Sequence, residues 1–235
     1  MRWRKAAEEG DANAMAHLGS AYGFGHCSLT KDDNAAASWH KRAADLGHAQ
    51  AQHNLGVSYR DGTGVEQDFA EALRRFRQAA EQGHAGAQGS VGRAYYNGDG
   101  VPVDFERAVH YFRLGAKGGA AFAMANLGRC YLDGKGVARS LADARKWFLR
   151  AKKADFKDPA AIDALLAEID ARAAESGAAL TATLAAREAQ RLANLAELVA
   201  AEDAAKAAKA ALAAAEAAAR ASISASKASI AAGSL

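Results

Sequence analysis

Proline is almost missing from this chain, with two in 235 residues, so little interrupts long helical stretches. Cysteine is as scarce: Cys27 and Cys130 stand far apart in the sequence, and two isolated thiols suit a reducing, cytoplasmic setting. Aromatic residues make up only 7%. With so few large rings and so much alanine, burial per residue is modest, and close helix approach is the expected packing mode. No strongly apolar stretch reaches 18 residues, which excludes a transmembrane span from the expectation. Residues 1–20 hold Arg2, Arg4 and Lys5 but no apolar run of the signal-peptide kind. Blocks of like charge are absent too. The net charge of +3 is spread thinly, without the basic stripe that nucleic-acid binding requires.

What is present is repetition. The stretch Leu55–His84 reads as two short helices around a glycine turn. Leu55 and Tyr59 lie one turn apart on the first helix, with Gly56 beside them where a neighbour can come close. Asp61-Gly62 stops that helix, because glycine reaches the left-handed conformation a helix end needs. Asp68 fits an N-cap, and Glu71 three residues on suggests a capping box. Ala72, Phe76 and Ala80 share a face of the second helix, and Gln82-Gly83 ends it. Shifts of 36 residues return Gly92, Tyr95, Gly98, Gly100, Asp104, Phe112 and then Gly128, Tyr131, Gly134, Gly136, Ser140, Phe148. A backward shift returns Gly19, Tyr22, Gly25 and Asp32, with one extra loop residue and Cys27 in place of the second loop glycine. Four units therefore run 12–48, 49–84, 85–120 and 121–156. One helix pair cannot bury its apolar face alone, so the copies must stack. Trp3–Gly10 matches Phe76–Gly83, so residues 1–11 form a partial unit. A fragment of a longer array is the expected origin; a partial unit used as a cap is the other.

The pattern LGxxYxxGxGVxxDxxxAxxxFxxAAxxGH resembles the SEL-one-like repeat family, a relative of the tetratricopeptide repeat, over about residues 1–156. Ser140 in place of Asp and Gly115 in place of Ala are departures. The resemblance implies an all-α, right-handed α/α superhelix (solenoid) of antiparallel helix pairs that binds proteins or peptides and carries no chemistry. Some secreted, cysteine-rich members were linked to penicillin binding, and the paired cysteines of those members are lacking here.

Beyond the array, Asp158-Pro159 gives a helix start. Ile162, Leu165, Leu166 and Ile169 fall on one face, as a capping helix over 157–176 would place them. Ser176-Gly177 is expected to break that helix before an alanine-rich helical tail, 177–235. In the tail Leu184, Leu198 and Leu212 fit heptad a positions and Leu195, Ile223 and Ile230 fit d. Arg191 falls at a, and Glu188, Glu202, Lys209 and Glu216 fall at d. The seam is broken, so a single exposed helix competes with a weak homo-oligomeric contact.

Signals of chemistry are poor. His48 and His84 occupy equivalent repeat positions and read as structural; His53 lies five residues from His48 without further ligands, so no metal site is expected. The Gly62-x-Gly64 loops recur in every unit without a preceding strand or a Gly-Lys-Ser/Thr, and a turn role explains them all. No Gly-x-Ser-x-Gly occurs, and His26 beside Cys27 is not a nucleophile–base pair. Neither an enzyme nor a cofactor is expected. What remains is a binding surface. At 100° per residue Ala51, Leu55, Ser58 and Tyr59 turn inward, and His53, Asn54 and Val57 turn away. Equivalent positions form columns: His17, Asn54, Ser90, Asn126, and Ser20, Val57, Arg93, Arg129. Asn can bond a peptide backbone, and Arg can hold a carboxylate through two parallel donors. The residues thus point to a groove for a protein or peptide segment, acidic near units three and four. Assembly through the alanine-rich helix and a hydrolase on the same scaffold are the competing classes.

Overall fold

In a computed structural model the described residues, 2–154 and 156–232, form helices and no strands. They fall into two units, Met1–Ala173 and Ala174–Leu235. The first opens with α1 (Arg2–Glu8). Four helix pairs follow: α2 (Ala12–Phe24) with α3 (Asp33–Asp45), α4 (Ala49–Asp61) with α5 (Phe69–Glu81), α6 (Ala85–Asn97) with α7 (Phe105–Lys117), and α8 (Ala121–Asp133) with α9 (Leu141–Lys153). Each helix also packs on the next in sequence, which is the α/α solenoid that the repeats predict. α10 (Pro159–Ala232) runs on into the second unit.

The helix ends follow the sequence closely. Gly25, Gly62, Gly98 and Gly134 close the first helices in the left-handed conformation. Asp32, Asp68, Asp104 and Ser140 accept backbone N–H groups at the start of the second helices. The capping box is only half formed. Asp68 accepts from the Glu71 backbone at 2.9 Å, but the Glu71 side chain turns to Arg74 and Arg75. The Asp68 N–H instead donates to the Tyr59 carbonyl at 2.9 Å, a bond repeated at Asp104–Tyr95 and Ser140–Tyr131. His48 and His84 cap α4 and α6 through Nδ1. Each one's Nε2–H then donates onward, to Asn13 and Gln50 respectively.

Inside each pair a ring lies over a glycine. A Cβ built at Gly56, Gly92 or Gly128 would come within 2.7, 2.7 and 2.9 Å of Phe76, Phe112 and Phe148. These rings are 2, 0 and 0% exposed, and each contributes on the order of 2–3 kcal/mol by burial. Between pairs, the second loop glycine touches the preceding unit's backbone: a Cβ at Gly64 would stand 1.9 Å from the Asp33 carbonyl oxygen. Cys27, at the corresponding place in the first unit, is exposed and keeps the left-handed backbone, with φ 58°. Both cysteines are free thiols.

At the other end, Ile162 and Ile169 of α10 are buried against Leu132 and Phe148, while Arg145 and Lys152 pair with Asp170 and Asp163. The break expected at Ser176-Gly177 does not occur; both residues lie within α10. One glycine costs a helix about 1 kcal/mol, and the surrounding alanines, the best helix formers, outweigh it. In the second unit Leu184, Leu195 and Leu198 are exposed, with no buried seam among the described side chains. Leu212, Ile223 and Ile230 lie outside the residues whose side chains are described.

The two glycine environments predict opposite outcomes. Gly92→Ala must displace the buried Phe112 ring and should lower stability by about 1–3 kcal/mol. Gly177→Ala meets nothing within 4 Å and should raise helix content, with a gain of up to about 1 kcal/mol. Urea denaturation followed by circular dichroism checks both.

Candidate binding groove

The face of α4, α6 and α8 that stays clear of the second helices carries a groove of about 680 Å³. Arg93, Asn126 and Arg129 line it. Phe156, Ile162 and Leu165 add apolar wall from the segment after α9 and from the first turns of α10. Tyr96 and Phe122 complete the apolar surface. These last five were not foreseen, because the columns take two positions from each first helix and omit Tyr96 and Phe122, and because Phe156, Ile162 and Leu165 lie at or beyond the end of the last repeat.

The groove is electropositive. Arg60, Arg93, Arg129 and Lys157 line it, and no carboxylate does. Arg60 is already held by Asp61 through two bonds of 2.6 Å. Arg93 and Arg129 have no ion-pair or hydrogen-bond partner among the described residues. Burial, and after it the neighbouring Arg60, press the Arg93 guanidinium below its usual pKa. Asp99 and Asp61 offset this only in part and form no ion pair with it, so an incoming anion would relieve a partly desolvated cation here. Asn126 donates to the Phe122 carbonyl at 2.8 Å, which leaves its own side-chain oxygen as an acceptor.

Asn54 sits elsewhere, in an adjoining groove of about 460 Å³ with Ser20, His40 and Ser58. Val57 borders both grooves. His17 lines neither; it stacks on Trp3 with ring centroids 5.1 Å apart. His53 lines the larger groove on the side that the helical wheel gives it, but its ring is partly covered. It packs between Phe76 and His84, at 5.6 and 4.9 Å, and reaches Ser90 Oγ with Nε2 at 3.4 Å. The wheel fixes a direction from α4 but not the ring that the next helix brings up to meet it. His40 escaped notice altogether, although a shift of 36 places it opposite Phe76. It fills the Phe position over Gly19, where a Cβ would stand 2.7 Å from the ring. Among the described residues no three His, Cys, Asp or Glu side chains converge as a metal site, and no helix is long and apolar enough to cross a membrane.

Burial first, and then the charge of His48 or His84, lowers His40 and His53 each to a pKa of about 4. Both rings therefore stay neutral in the folded chain well below the pH at which the unfolded chain protonates them. As pH falls from 6.5 to 4 the unfolded state gains protons that the folded state refuses, so stability drops across that window. For His40 the loss is on the order of 3 kcal/mol. Denaturant titrations at pH 7 and pH 4.5 should show wild type losing more stability than His40→Phe; equal losses would contradict a neutral, buried His40.

Residues 12–48, 49–84, 85–119 and 121–156 each match the Sel1 repeat family model. Protein sel-1 homolog 2 of Rattus norvegicus is 37% identical over 75 residues, 32% of this chain and 11% of that protein. A Sel1 repeat protein from Oxalobacter formigenes superposes with a TM-score of 0.63 at 34% identity, covering 66% of this chain and 61% of that one. The protective antigen c5321 of uropathogenic Escherichia coli, which displays an SLR fold, gives 0.61 at 37% identity, over 66% of this chain and 33% of its own. The chain thus spans about a tenth of the curated relative and less than two-thirds of either solved protein.

Proposed function

The chain belongs to the Sel1 repeat family, and from that premise we propose that it is a non-catalytic adaptor whose α4–α6–α8 groove grips a segment of another polypeptide. Sel1 repeat proteins are in general protein-interaction scaffolds. The observation that carries the finer reading is the pair Arg93 and Arg129, unpaired guanidinium groups in one groove with apolar walls and no lining carboxylate. Such a lining favours an acidic side chain next to an aliphatic or aromatic one. The apolar part supplies affinity through burial, and the guanidinium groups supply specificity and hold the register. Two free thiols are consistent with a cytoplasmic setting. The reading requires no cofactor and no metal.

A library of random decapeptides panned on the full chain tests this. Wild type should enrich peptides with Asp or Glu beside a large apolar residue. Arg93→Glu/Arg129→Glu should weaken those peptides at least about tenfold, or 1.4 kcal/mol, while its thermal midpoint stays near wild type. Unchanged affinity would remove this site.

A second reading, assembly through α10, is favoured by Leu180, Leu184, Leu195 and Leu198, all more than half exposed. At 100° per residue they fall within about 60° of one another. Light scattering on the full chain should then show a species larger than a monomer that Leu184→Lys/Leu195→Lys disperses; a monomer at all concentrations would exclude it.

A further inference from the structure

The groove beside α2, α3 and α4 has a chemistry opposite to its neighbour's. No Lys or Arg lines it, Asp33 is its one charged residue, and hydroxyl and amide groups of Ser20, Asn54, Ser58 and Thr63 surround it. At its base lies His40, 6% exposed. In the other three units this position is a phenylalanine whose ring lies over the pair's glycine. The imidazole makes the same contact over Gly19 but brings two nitrogens into an apolar site. Nδ1 is buried without any partner, a standing penalty that a phenyl ring would not carry. The cheaper tautomer leaves that nitrogen as a bare acceptor, which puts the proton on Nε2, the nitrogen the groove can reach. Beside it, the Asn54 oxygen is taken by Gln50 at 2.9 Å, so Asn54 presents its amide N–H groups. Two unused donors thus line the same groove, where an uncharged polar group would satisfy them; Asp33 is already paired with Lys31 at 3.1 Å.

Val57 borders both grooves, so a segment passing over this side chain would join them into one track across the first helices. We propose that a single extended partner segment occupies the whole track, with its acidic residue at Arg93 and Arg129 and an Asn, Gln, Ser or Thr side chain at His40 and Asn54. This deepens the peptide-binding reading and rests on it. Successive first helices lie about 10 Å apart, so one repeat step separates Asn54 from Arg93 and two separate it from Arg129, roughly 10–20 Å, which an extended chain covers in about three to six residues. The different chemistry of the two ends sets the direction of the segment: reversal would take its acid away from both arginines and leave them without that partner.

Decapeptide panning on the full chain distinguishes the alternatives. Wild type should enrich an acidic position and, about three to six residues away, an amide or hydroxyl position. His40→Phe, which adopts the packing of the other three units, should melt no lower than wild type, keep the acidic preference and lose the second by about tenfold. Asn54→Ala should reproduce that loss without touching the ring. A second preference that survives both substitutions overturns the proposal, as does a wild-type profile with only the acidic position. An amide or hydroxyl preference that depends on His40, without any acidic one, would overturn the arginine reading and leave the His40 subsite standing.

Discussion

Each helix pair is set by the contact between a ring and the bare backbone of a glycine. At Gly56, Gly92 and Gly128 the first helix offers no side chain, and the phenyl ring of the second helix lies where a Cβ would be. The contact fixes how near the two axes come and which face of the first helix is covered. It also fixes which face is not. Asn54 and Asn126, about 160° round the helix from the glycine, and Arg93 and Arg129, about 100° round, are left outside the pair because the ring has claimed another side. The groove follows from that packing choice.

A second glycine propagates the arrangement. Gly64, Gly100 and Gly136 each bring a loop against the backbone of the preceding unit, nearer than any side chain would permit. Each unit is thereby seated against the one before it, and in the last two units this brings Arg93, Asn126 and Arg129 to one groove. Where the repeats stop, α10 covers the last apolar face with Ile162 and Ile169. The same turns deliver Leu165 to the groove wall, so burying the end of the core also shapes one end of the surface.

The repeat boundaries, the glycine caps and the aspartate N-caps were legible from the sequence, because each rests on local backbone chemistry that a single unit displays. Helical phase and repeat period drew the columns; of their members Arg93, Asn126 and Arg129 share one groove, while Asn54 and His17 lie elsewhere. What was hidden depended on contacts between units. His53 reads as outward on a wheel drawn for α4 alone, and only the stacking of Phe76 and His84 against it shows why it is covered. Glu71 fits a capping box by spacing, but Arg74 and Arg75 compete for its carboxylate and win with charge-assisted bonds. Ser176-Gly177 reads as punctuation, yet one glycine among alanines is too weak to end a helix. His40 was visible in the repeat phase, and its consequence appears only once the ring is seen over Gly19 with its Nδ1 unpaired.

The most direct measurement is the position of a bound peptide on the full chain, by crystallography of the complex or by intermolecular nuclear Overhauser effects. The central claim, that the face left free by the ring–glycine packing is the recognition surface, predicts an extended peptide along α4, α6 and α8 within reach of Arg93, Arg129 and Phe122. A peptide seated instead on the outer faces of α5 and α7, or on residues beyond Ala173, would contradict it.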